Sequence, residues 1–445
     1  MRVLTINIDK MTFGGSGLGY SDGKVCFVPY SAPGDIVRIM VKTEKRSYLE
    51  GEIIEILEPS PHRTAPVCPV FSVCGGCNWQ HLPYATQLAE KQNIFADIVW
   101  RSGRIDSRLV LPIIPAPSPL GYRSRVQLKV HSVAGEIHLG FFKAGSHFVV
   151  DVPGKCAIAD STINQLIPEL ERIVRLFPEP DKVPQIDISC GGTGTASVIF
   201  HYIGGNLDET AAFLHEFRDS LPSSVGLFIQ SGRKMTLRHI DGPLNLDYPV
   251  LSGTDPASQE FRLMFTPGGF SQVNYRQNSA LVATVRDWCE LTGSERLLDI
   301  YCGNGNFSIP LAAGCKEVDG IEEYEPSIKD ARYNSRANGL ENCRFSSADA
   351  LKGIKDCLDS KDSFDIVLLD PPRTGAAGIA HLIPSLKPEK IIYISCDPPT
   401  LARDIGILKG HGYGVVKSQP IDMFPQTFHI ESVTLLVPED TTIRS

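Results

Sequence analysis

The pattern of apolar and polar positions divides the chain into parts of different periodicity. Residues 1–58 alternate apolar and polar residues in short runs, which are separated by the glycine-containing turns GGSGLG and APGD. This is the pattern of a small β-barrel. From about residue 121 to residue 263 further strand-like runs follow, among them VQLKVHSV, EIHLGFF and ASVIFHYI, and one helix is predicted over 161–177. The first half of the chain is therefore predicted to be rich in β-structure.

The periodicity changes after Phe270. A helical segment, SALVATVRDWCELTG, is followed by alternating strand and helix signals around LLDIYCGNG, VDGIEE, FDIVLLDPP and IIYISCDPP. Such alternation is typical of a doubly wound, mostly parallel α/β sheet. We therefore predict a multidomain protein: a small β-barrel at 1–58, a β-rich central domain with a cysteine segment at 59–265, and an α/β Rossmann-like domain at 266–445.

Composition narrows the class of protein. The chain has 445 residues, of which 42% are hydrophobic and 21% are charged, as in soluble globular proteins. Polar residues interrupt the N-terminal MRVLTINIDKMTF, and no stretch resembles a signal peptide or a membrane span, so we predict a cytoplasmic protein with no membrane partner. We expect a monomer. In that compartment most of the 12 cysteines should be reduced.

The segment LLDIYCGNGNFS reads as a strand, a glycine turn and a helix. Asp299 stands at the strand end, Gly303 and Gly305 lie in the turn, and Glu322 follows near the end of the next strand. The third glycine of a dinucleotide motif is absent, so an acidic turn followed by an acidic strand end suits the nucleoside of S-adenosylmethionine better than NAD. An ordinary tight turn is the alternative. Asp349 could bind the adenine amino group or could cap a helix.

Two further strand ends carry reactive groups. Cys396 follows the apolar run IIYIS, and Asp370 follows IVLL in the same way. Glu431 stands between apolar residues before a last predicted strand, where an isolated carboxylate is disfavoured without a partner or a function. A thiolate that adds to carbon 6 of uracil activates carbon 5 toward a methyl donor, and a base then removes the carbon-5 proton. The alternatives are a buried inert thiol and a strand-edge charge.

The motifs DPPRTG, IIYISCD and DMFPQTFHIE together resemble the RNA uracil-5 methyltransferase family. The resemblance covers nearly the whole chain and implies an RNA-binding TRAM barrel at 1–58. It implies Cys396 as the nucleophile and Glu431 as the proton-abstracting base. The cofactor-site positions that it implies for S-adenosylmethionine are Gln272, Tyr301, Asn306, Glu322, Asp349 and Asp370. One departure is Asp397, where the family usually has Asn; a carboxylate there is expected to raise the thiol pKa.

Four cysteines form a further constellation. Cys68, Cys74 and Cys77 follow a C-x5-C-x2-C spacing, and Cys156 in VPGKCAIAD is the natural fourth ligand. Four thiolates can hold either a 4Fe-4S cluster or a structural zinc ion. The family resemblance implies the cluster, for which we expect a structural role, and a disulfide is the remaining alternative.

The predicted partner is RNA. The net charge of −8 confines contact with a polyanion to local basic patches, and 38–48 and 121–129 are the candidates. Two other functions are alternatives to uracil-5 methylation. An enzyme that methylates the exocyclic amino group of a base would use Asp-Pro-Pro but would not need Cys396, and a non-catalytic RNA-binding redox sensor would leave Glu322, Asp370 and Cys396 without a role. The motifs leave open whether ribosomal or transfer RNA is the substrate.

Overall fold

The computed structural model describes residues 2–133, 135–152, 154–192, 194–232, 236–253 and 258–439. The N-terminal part is the predicted small β-unit, a six-stranded sheet in the order β1-β5-β6-β4-β3-β2. In β5 the buried Val37 and Ile39 flank the exposed Arg38, so the alternation in the sequence becomes an inner and an outer face. The strands are β1 (Val3–Asn7), β2 (Lys10–Met11), β3 (Ser16–Ser21), β4 (Lys24–Pro29), β5 (Ile36–Glu44) and β6 (Tyr48–Glu58).

A 20-residue helix that the sequence analysis did not predict, α1 (Tyr84–Gly103), follows the cysteine segment. Its apolar side chains Ile94, Phe95 and Val99 are buried in the core that also covers one face of the C-terminal sheet. Gln87 and Lys91 are buried on the same helix. These two polar side chains interrupt the apolar stripe, so the helical period is weak in the sequence.

The central sheet has the strand order β13-β12-β11-β10-β7-β8-β9, and only β11 and β12 are parallel. The predicted helix over 161–177 is confirmed as α2, which begins where Asp160 accepts a hydrogen bond from the Thr162 amide. The elements are β7 (Arg125–Val133), β8 (Glu136–Phe142), β9 (Val149–Asp151), α2 (Ser161–Leu176), β10 (Gln185–Cys190), β11 (Ala196–Tyr202), α3 (Leu207–Glu216), β12 (Val225–Ser231) and β13 (Leu237–Asp241). The helix α3 was not predicted.

The C-terminal sheet is the predicted α/β sheet, with the strand order β18-β17-β16-β19-β20-β22-β21. Its first five strands are parallel, whereas β22 is antiparallel to both β20 and β21. The elements are α4 (Tyr275–Cys289), β16 (Arg296–Ile300), α5 (Ser308–Ala312), β17 (Glu317–Glu322), α6 (Glu325–Ala337), β18 (Cys343–Ser347), α7 (Ala350–Asp359), β19 (Ile366–Leu369), α8 (Ala377–Ala380), β20 (Lys390–Ser395), α9 (Pro398–Lys409), β21 (Tyr413–Ile421) and β22 (Glu431–Pro438).

A two-stranded sheet of β14 (Leu246–Leu251) and β15 (Glu260–Phe265) lies between the larger sheets along the chain. Its buried Tyr248 and Phe261 share a core with α4 and the C-terminal sheet. Both α1 and this sheet thus pack onto the C-terminal sheet although they precede residue 266, and the domain limits 1–58, 59–265 and 266–445 stay predictions. None of the helices in the described part of the chain is long and apolar enough to cross a bilayer.

Candidate active site

The predicted catalytic and cofactor residues converge on one edge of the C-terminal sheet. The parallel strands β16 to β20 all end at this edge, and β22 begins there because it runs antiparallel to β20. Ligands of α/β proteins bind at such carboxyl ends. The residues that these strands place at the edge are Tyr301 after β16, Glu322 at the end of β17, Asp349 after β18, Asp370 after β19, Cys396 after β20 and Glu431 at the start of β22.

Cys396 and Glu431 are neighbours across two paired strands. The ladder between β20 and β22 pairs Ser395 with Ser432, and Cys396 and Glu431 are the next residues toward the edge. Glu431 is buried, with 4% of its surface exposed. Both residues are predicted from the sequence, and the antiparallel register places them at adjacent ends of the two strands.

The electrostatics of this pair favour protonated groups when no ligand is bound. Burial raises the pKa of the Cys396 thiol to about 12, and the charges of Glu431 and Asp370 add to that effect. Burial and the charge of Asp370 also raise the pKa of Glu431 well above its usual value. Arg373 opposes both shifts. The sequence analysis did not identify Arg373 as a site residue, although it stands in DPPRTG three positions after Asp370.

Asp397, the departure from the family pattern, is the N-cap of α9. Its carboxylate accepts a hydrogen bond from the Thr400 amide at 2.9 Å, so it stabilises the first turn of the helix that follows the nucleophile position. Its charge raises the pKa of the Cys396 thiol, but less than burial, Glu431 and Asp370 do. The expected direction of its effect is therefore confirmed, and the effect is secondary.

The backbone of the glycine turn after β16 has a conformation that lets a ligand approach it closely. Tyr301 and Gly305 have positive φ angles of 70° and 90°. A Cβ on Gly305 would lie 2.7 Å from the Ile309 side chain, so only glycine fits there without a shift. Glu322 accepts hydrogen bonds from the amides of Gly303 at 3.3 Å and Tyr324 at 2.8 Å. These contacts fix the carboxylate beside the turn, and its role in binding a ribose stays a prediction.

Asp299 is a buried carboxyl group beneath the glycine turn, which its place at a strand end did not indicate. Its carboxyl group is fully buried and accepts a hydrogen bond from the Ser308 hydroxyl, while its Oδ1 atom has no partner. Burial raises its pKa to about 7, and burial likewise raises the pKa of Asp370 to about 7, with the charges of Asp299 and Glu322 adding to it. The edge is thus a cluster of carboxyl groups that a cationic ligand would neutralise.

Three other predicted cofactor positions have protein partners. Asn306 forms two hydrogen bonds with Asn278, at 2.7 and 3.0 Å, which fasten the glycine turn to α4. Asp349 accepts from the Lys352 amide at 3.0 Å and is the N-cap of α7, so the helix-cap alternative is confirmed for one of its oxygens. Gln272 lies in the segment that connects β15 to α4 and is buried, and its backbone carbonyl accepts a hydrogen bond from the Ser124 hydroxyl.

The four cysteines of the predicted metal centre line a single cavity of about 520 Å³. All four are free thiols rather than disulfides. Burial raises the pKa of Cys77 to about 12, and the charges of Cys156, Cys74 and Cys68 as thiolates would raise it further, so the four groups act on one another. Within the described ranges no three potential ligands lie close enough to be recognised as a formed metal site. The donor set itself, four thiols at one cavity, fits a thiolate-ligated group.

Basic side chains also line this cavity. They include Arg373, which acts on Cys396 and Glu431, and Arg123 and Arg125 of the candidate patch 121–129, and His429 lies with them. Arg373 thus connects the cysteine cavity to the predicted active-site edge, although neither Cys396 nor Glu431 lines the cavity.

Comparison with known proteins agrees with this geometry. The family described as tRNA (Uracil-5-)-methyltransferase matches residues 84–439, and the TRAM domain matches residues 1–54. The chain belongs to the RNA uracil-5-methyltransferase family. Both the family resemblance and the enzyme class, an RNA (uracil-5-)-methyltransferase, are confirmed. An amino-group methyltransferase and a non-catalytic redox sensor are correspondingly disfavoured.

Individual relatives cover almost the full length of this methyltransferase. The 23S rRNA (uracil(1939)-C(5))-methyltransferase RlmD of Alkalilimnicola ehrlichii is 34% identical over 98% of this chain and 96% of its own. The RlmD protein of Vibrio parahaemolyticus is 32% identical over 98% and 96%. Among solved structures, the tRNA (uracil-54, C5)-methyltransferase of Pyrococcus abyssi in complex with S-adenosyl-L-homocysteine is 25% identical, with a TM-score of 0.71 over 98% of this chain and 100% of that chain.

Proposed function

We propose that this enzyme transfers the methyl group of S-adenosylmethionine to carbon 5 of a uridine in 23S ribosomal RNA. The reaction would pass through a covalent bond between Cys396 and carbon 6 of the uracil. The position of Cys396 opposite Glu431, at the edge where the cofactor residues converge, carries this proposal. The similarity to RlmD proteins supports the ribosomal substrate, and a uridine of transfer RNA is the alternative.

The methyl donor would lie across the carboxyl ends of β16 to β19. Glu322 is placed to accept hydrogen bonds from the ribose hydroxyls, with Tyr301 beside it and Asp349 toward the adenine. Burial raises the pKa of Tyr301, and the charges of Asp404, Glu322 and Asp349 add to that effect, which indicates that Tyr301, Glu322 and Asp349 share one region. Asp370 would lie near the sulfonium group, whose positive charge offsets that of a carboxylate. Asn306 and Gln272 would act mainly by supporting the backbone of the site.

The proposed reaction uses one thiolate and one carboxylate. The Cys396 sulfur forms a bond to carbon 6, and the electron pair of the carbon 5–carbon 6 double bond becomes an enolate. Carbon 5 then attacks the methyl carbon as the sulfonium–carbon bond breaks. Glu431 accepts the proton from carbon 5, the double bond forms again, and Cys396 leaves as a thiolate. The net products are methylated uracil, S-adenosylhomocysteine and one proton.

The donor itself would prepare the two catalytic groups. In its absence burial raises the pKa of Cys396 to about 12 and raises that of Glu431 as well, so the environment favours the protonated form of both groups. A sulfonium cation at this edge would favour the ionised form of both groups, as Arg373 does. Ionisation would therefore be coupled to the arrival of the methyl donor.

We also propose that Cys68, Cys74, Cys77 and Cys156 hold a 4Fe-4S cluster, and zinc is the alternative. When bound, such a group would cross-link four thiolates and supply structural rather than redox chemistry, because methyl transfer moves no electrons between substrates. It would join the segment before α1 to the chain between β9 and α2. The shared cavity supports this assignment.

Mass mapping of methyluridine in RNA from a strain that lacks this protein would test the proposal. We expect one 23S methyluridine to be lost, to return with the wild-type gene, and to stay absent with Cys396→Ala. Cys357→Ala is a matched control, because Cys357 is another half-buried thiol but lies on α7. Loss of a transfer RNA methyluridine instead would reject the ribosomal substrate. Methylation by Cys396→Ala at a substantial rate would reject the covalent reaction.

A further inference from the structure

The nine residues 422–430, which connect β21 to β22, deliver Glu431 to the catalytic edge. Glu431 is the first residue of β22, so the path of this β21–β22 connection determines where its carboxyl group begins. The connection includes Gln426 in a left-handed backbone conformation, with φ of 69°. A non-glycine residue holds that conformation only where surrounding contacts stabilise it. Those contacts come from outside the C-terminal sheet.

The first set of contacts comes from Gln87 on α1, which is completely buried. Its Nε2 group donates to the Gln426 Oε1 at 3.0 Å, and its Oε1 accepts from the Gln426 amide at 2.9 Å. The same Nε2 group lies within hydrogen-bond distance of the Trp79 and Leu82 carbonyls, at 3.1 and 2.9 Å. One amide side chain therefore holds the connection, the end of the cysteine segment and its own helix together.

The second set of contacts comes from Lys91, one helical turn further along α1. Its Nζ lies 2.6 Å from the Asp422 Oδ1 and donates to the Phe424 carbonyl at 3.0 Å, and both charged side chains are fully buried. The ammonium group also lies 5.9 Å from the centre of the Trp79 ring. A buried ion pair stabilises little over an apolar pair but strongly disfavours arrangements that separate the charges. The Lys91–Asp422 pair therefore fixes one position of the connection relative to α1.

Other groups also donate hydrogen bonds to the connection. The amides of Asn78 and Trp79, directly after Cys77, both donate to the Gln426 carbonyl at 3.0 Å. The Tyr122 hydroxyl donates to the Pro425 carbonyl at 2.9 Å. None of these groups belongs to the strands that carry Cys396 or Asp370. One further contact comes from the start of α4, where the Asn274 side chain donates to the Met423 carbonyl at 3.2 Å. The contacts from α1, the cysteine segment and Tyr122 are separate from the nucleophile and the donor site.

On the basis of the proposed reaction, we propose that Gln87 and Lys91 are positioning residues for proton abstraction and act through the β21–β22 connection on Glu431. A base must lie within about 3 Å of the proton that it removes, and a misplacement of about 1 Å can reduce a rate by roughly 100-fold. Cys396 follows β20 and Asp370 follows β19, and the contacts described above do not hold either strand. A looser connection should therefore slow the last chemical step and leave thiol addition and methyl transfer largely intact.

Gln87→Leu tests the inference, because it removes both hydrogen bonds of the Gln87 side chain to the connection and keeps a side chain of similar volume. We expect kcat to fall roughly tenfold or more and KM for RNA to fall with it, so that kcat/KM and the affinity for S-adenosylmethionine stay within about twofold of wild type, because the steps up to methyl transfer are unchanged. The RNA-linked enzyme on denaturing gels should increase severalfold at steady state. Tritium release from RNA labelled at uridine carbon 5 should become the slow step and show a primary isotope effect.

The double variant Lys91→Met, Asp422→Leu tests the second contact without leaving a lone buried charge, and we expect the same pattern. Gln92→Leu is the matched control. Gln92 lies on the same helix and forms two hydrogen bonds with the backbone of Leu111 and Ile113, not with the connection. The Gln92→Leu variant should lose a comparable number of hydrogen bonds from α1, but its adduct level and isotope effect should remain those of wild type. Thermal unfolding identifies any variant whose activity falls because it is unfolded.

The inference is overturned if folded Gln87→Leu and the double variant turn over at wild-type rates. It is equally overturned if kcat falls without an increase in adduct or isotope effect, because that pattern is a structural loss shared with Gln92→Leu. The Glu431→Gln variant separates this failure from a failure of the proposed reaction. If Glu431→Gln accumulates adduct and the α1 variants do not, only the positioning role is wrong.

Discussion

Cys396 and Glu431 stand one residue beyond the last pair of the β20–β22 ladder, in which Ser395 faces Ser432. This relationship depends on the one antiparallel pairing of β20, because a parallel neighbour would have placed its carboxyl end, not its first residue, at this edge. The strand that carries the thiol ends where the strand that carries the carboxylate begins. The register of two strands therefore fixes Cys396 and Glu431, the proposed nucleophile and base, relative to each other.

We expect Glu431→Gln to trap the enzyme on its RNA. Gln is nearly isosteric with Glu but cannot accept the carbon-5 proton, and the thiolate cannot leave until that proton has gone. The adduct should survive denaturing electrophoresis, carry label from the donor methyl group, and be absent from the Cys396→Ala, Glu431→Gln double variant. Near wild-type turnover of Glu431→Gln without an adduct would show that another group is the base.

Arg373 should set the pH range in which the enzyme works. Its charge opposes the rise that burial causes in the pKa of both Cys396 and Glu431, and both groups act in their ionised forms in the proposed reaction. Arg373→Gln should raise both pKa values, so the rising limb of kcat against pH should move to higher pH. Activity at pH 7 should fall and recover partly as the pH rises, and Arg373→Lys should move the limb less. A profile that only decreases in height would contradict this electrostatic role.

The four thiols at the shared cavity should hold about four irons per chain in protein purified without oxygen. Cys74→Ser and Cys156→Ser should each remove the brown colour and most of the iron, because each deletes one of the four ligands. Cys190→Ser is the matched control, since Cys190 is a buried thiol on β10 that does not line this cavity. Stoichiometric zinc in place of iron would reject the cluster.

The common edge at which the predicted site residues lie could be predicted from the sequence, because it depends on local signals. Each parallel strand is an apolar run, and the polar residue that ends it, such as Asp370 or Cys396, must lie at the common edge once the α/β pattern is recognised. Contacts that depend on distant partners could not be predicted. Asn306 pairs with Asn278, and Gln87 and Lys91 are buried against residues more than 300 positions away. Such polar residues look like surface residues until their partners are known.

Asp35 shows the same limit in the N-terminal sheet. Its fully buried carboxylate accepts hydrogen bonds from the amides of Ala32 and Ser60 and forms an ion pair with Arg63 at 2.7 Å. Burial raises the pKa of Asp35, but these hydrogen bonds outweigh burial, so the pKa lies below its usual value. The carboxylate therefore joins the turn before β5 to the chain that leaves β6.

We expect Asp35→Asn to destabilise the N-terminal sheet by about 3 kcal/mol at pH 7, since it breaks a buried pair and places an amide donor among other donors. Because the pKa is lower in the folded protein, the carboxylate stabilises the fold above the unfolded pKa of about 4, and this contribution is lost as the pH falls through the folded pKa. The difference in stability between wild type and variant should therefore shrink below about pH 4.

Hydrogen exchange across β1 and β5 of the full-length protein measures this difference in stability. Asp22→Asn, which breaks the exposed Arg2 pair in the same sheet, should change exchange little at any pH, and an equal effect of both variants would contradict the role of Asp35.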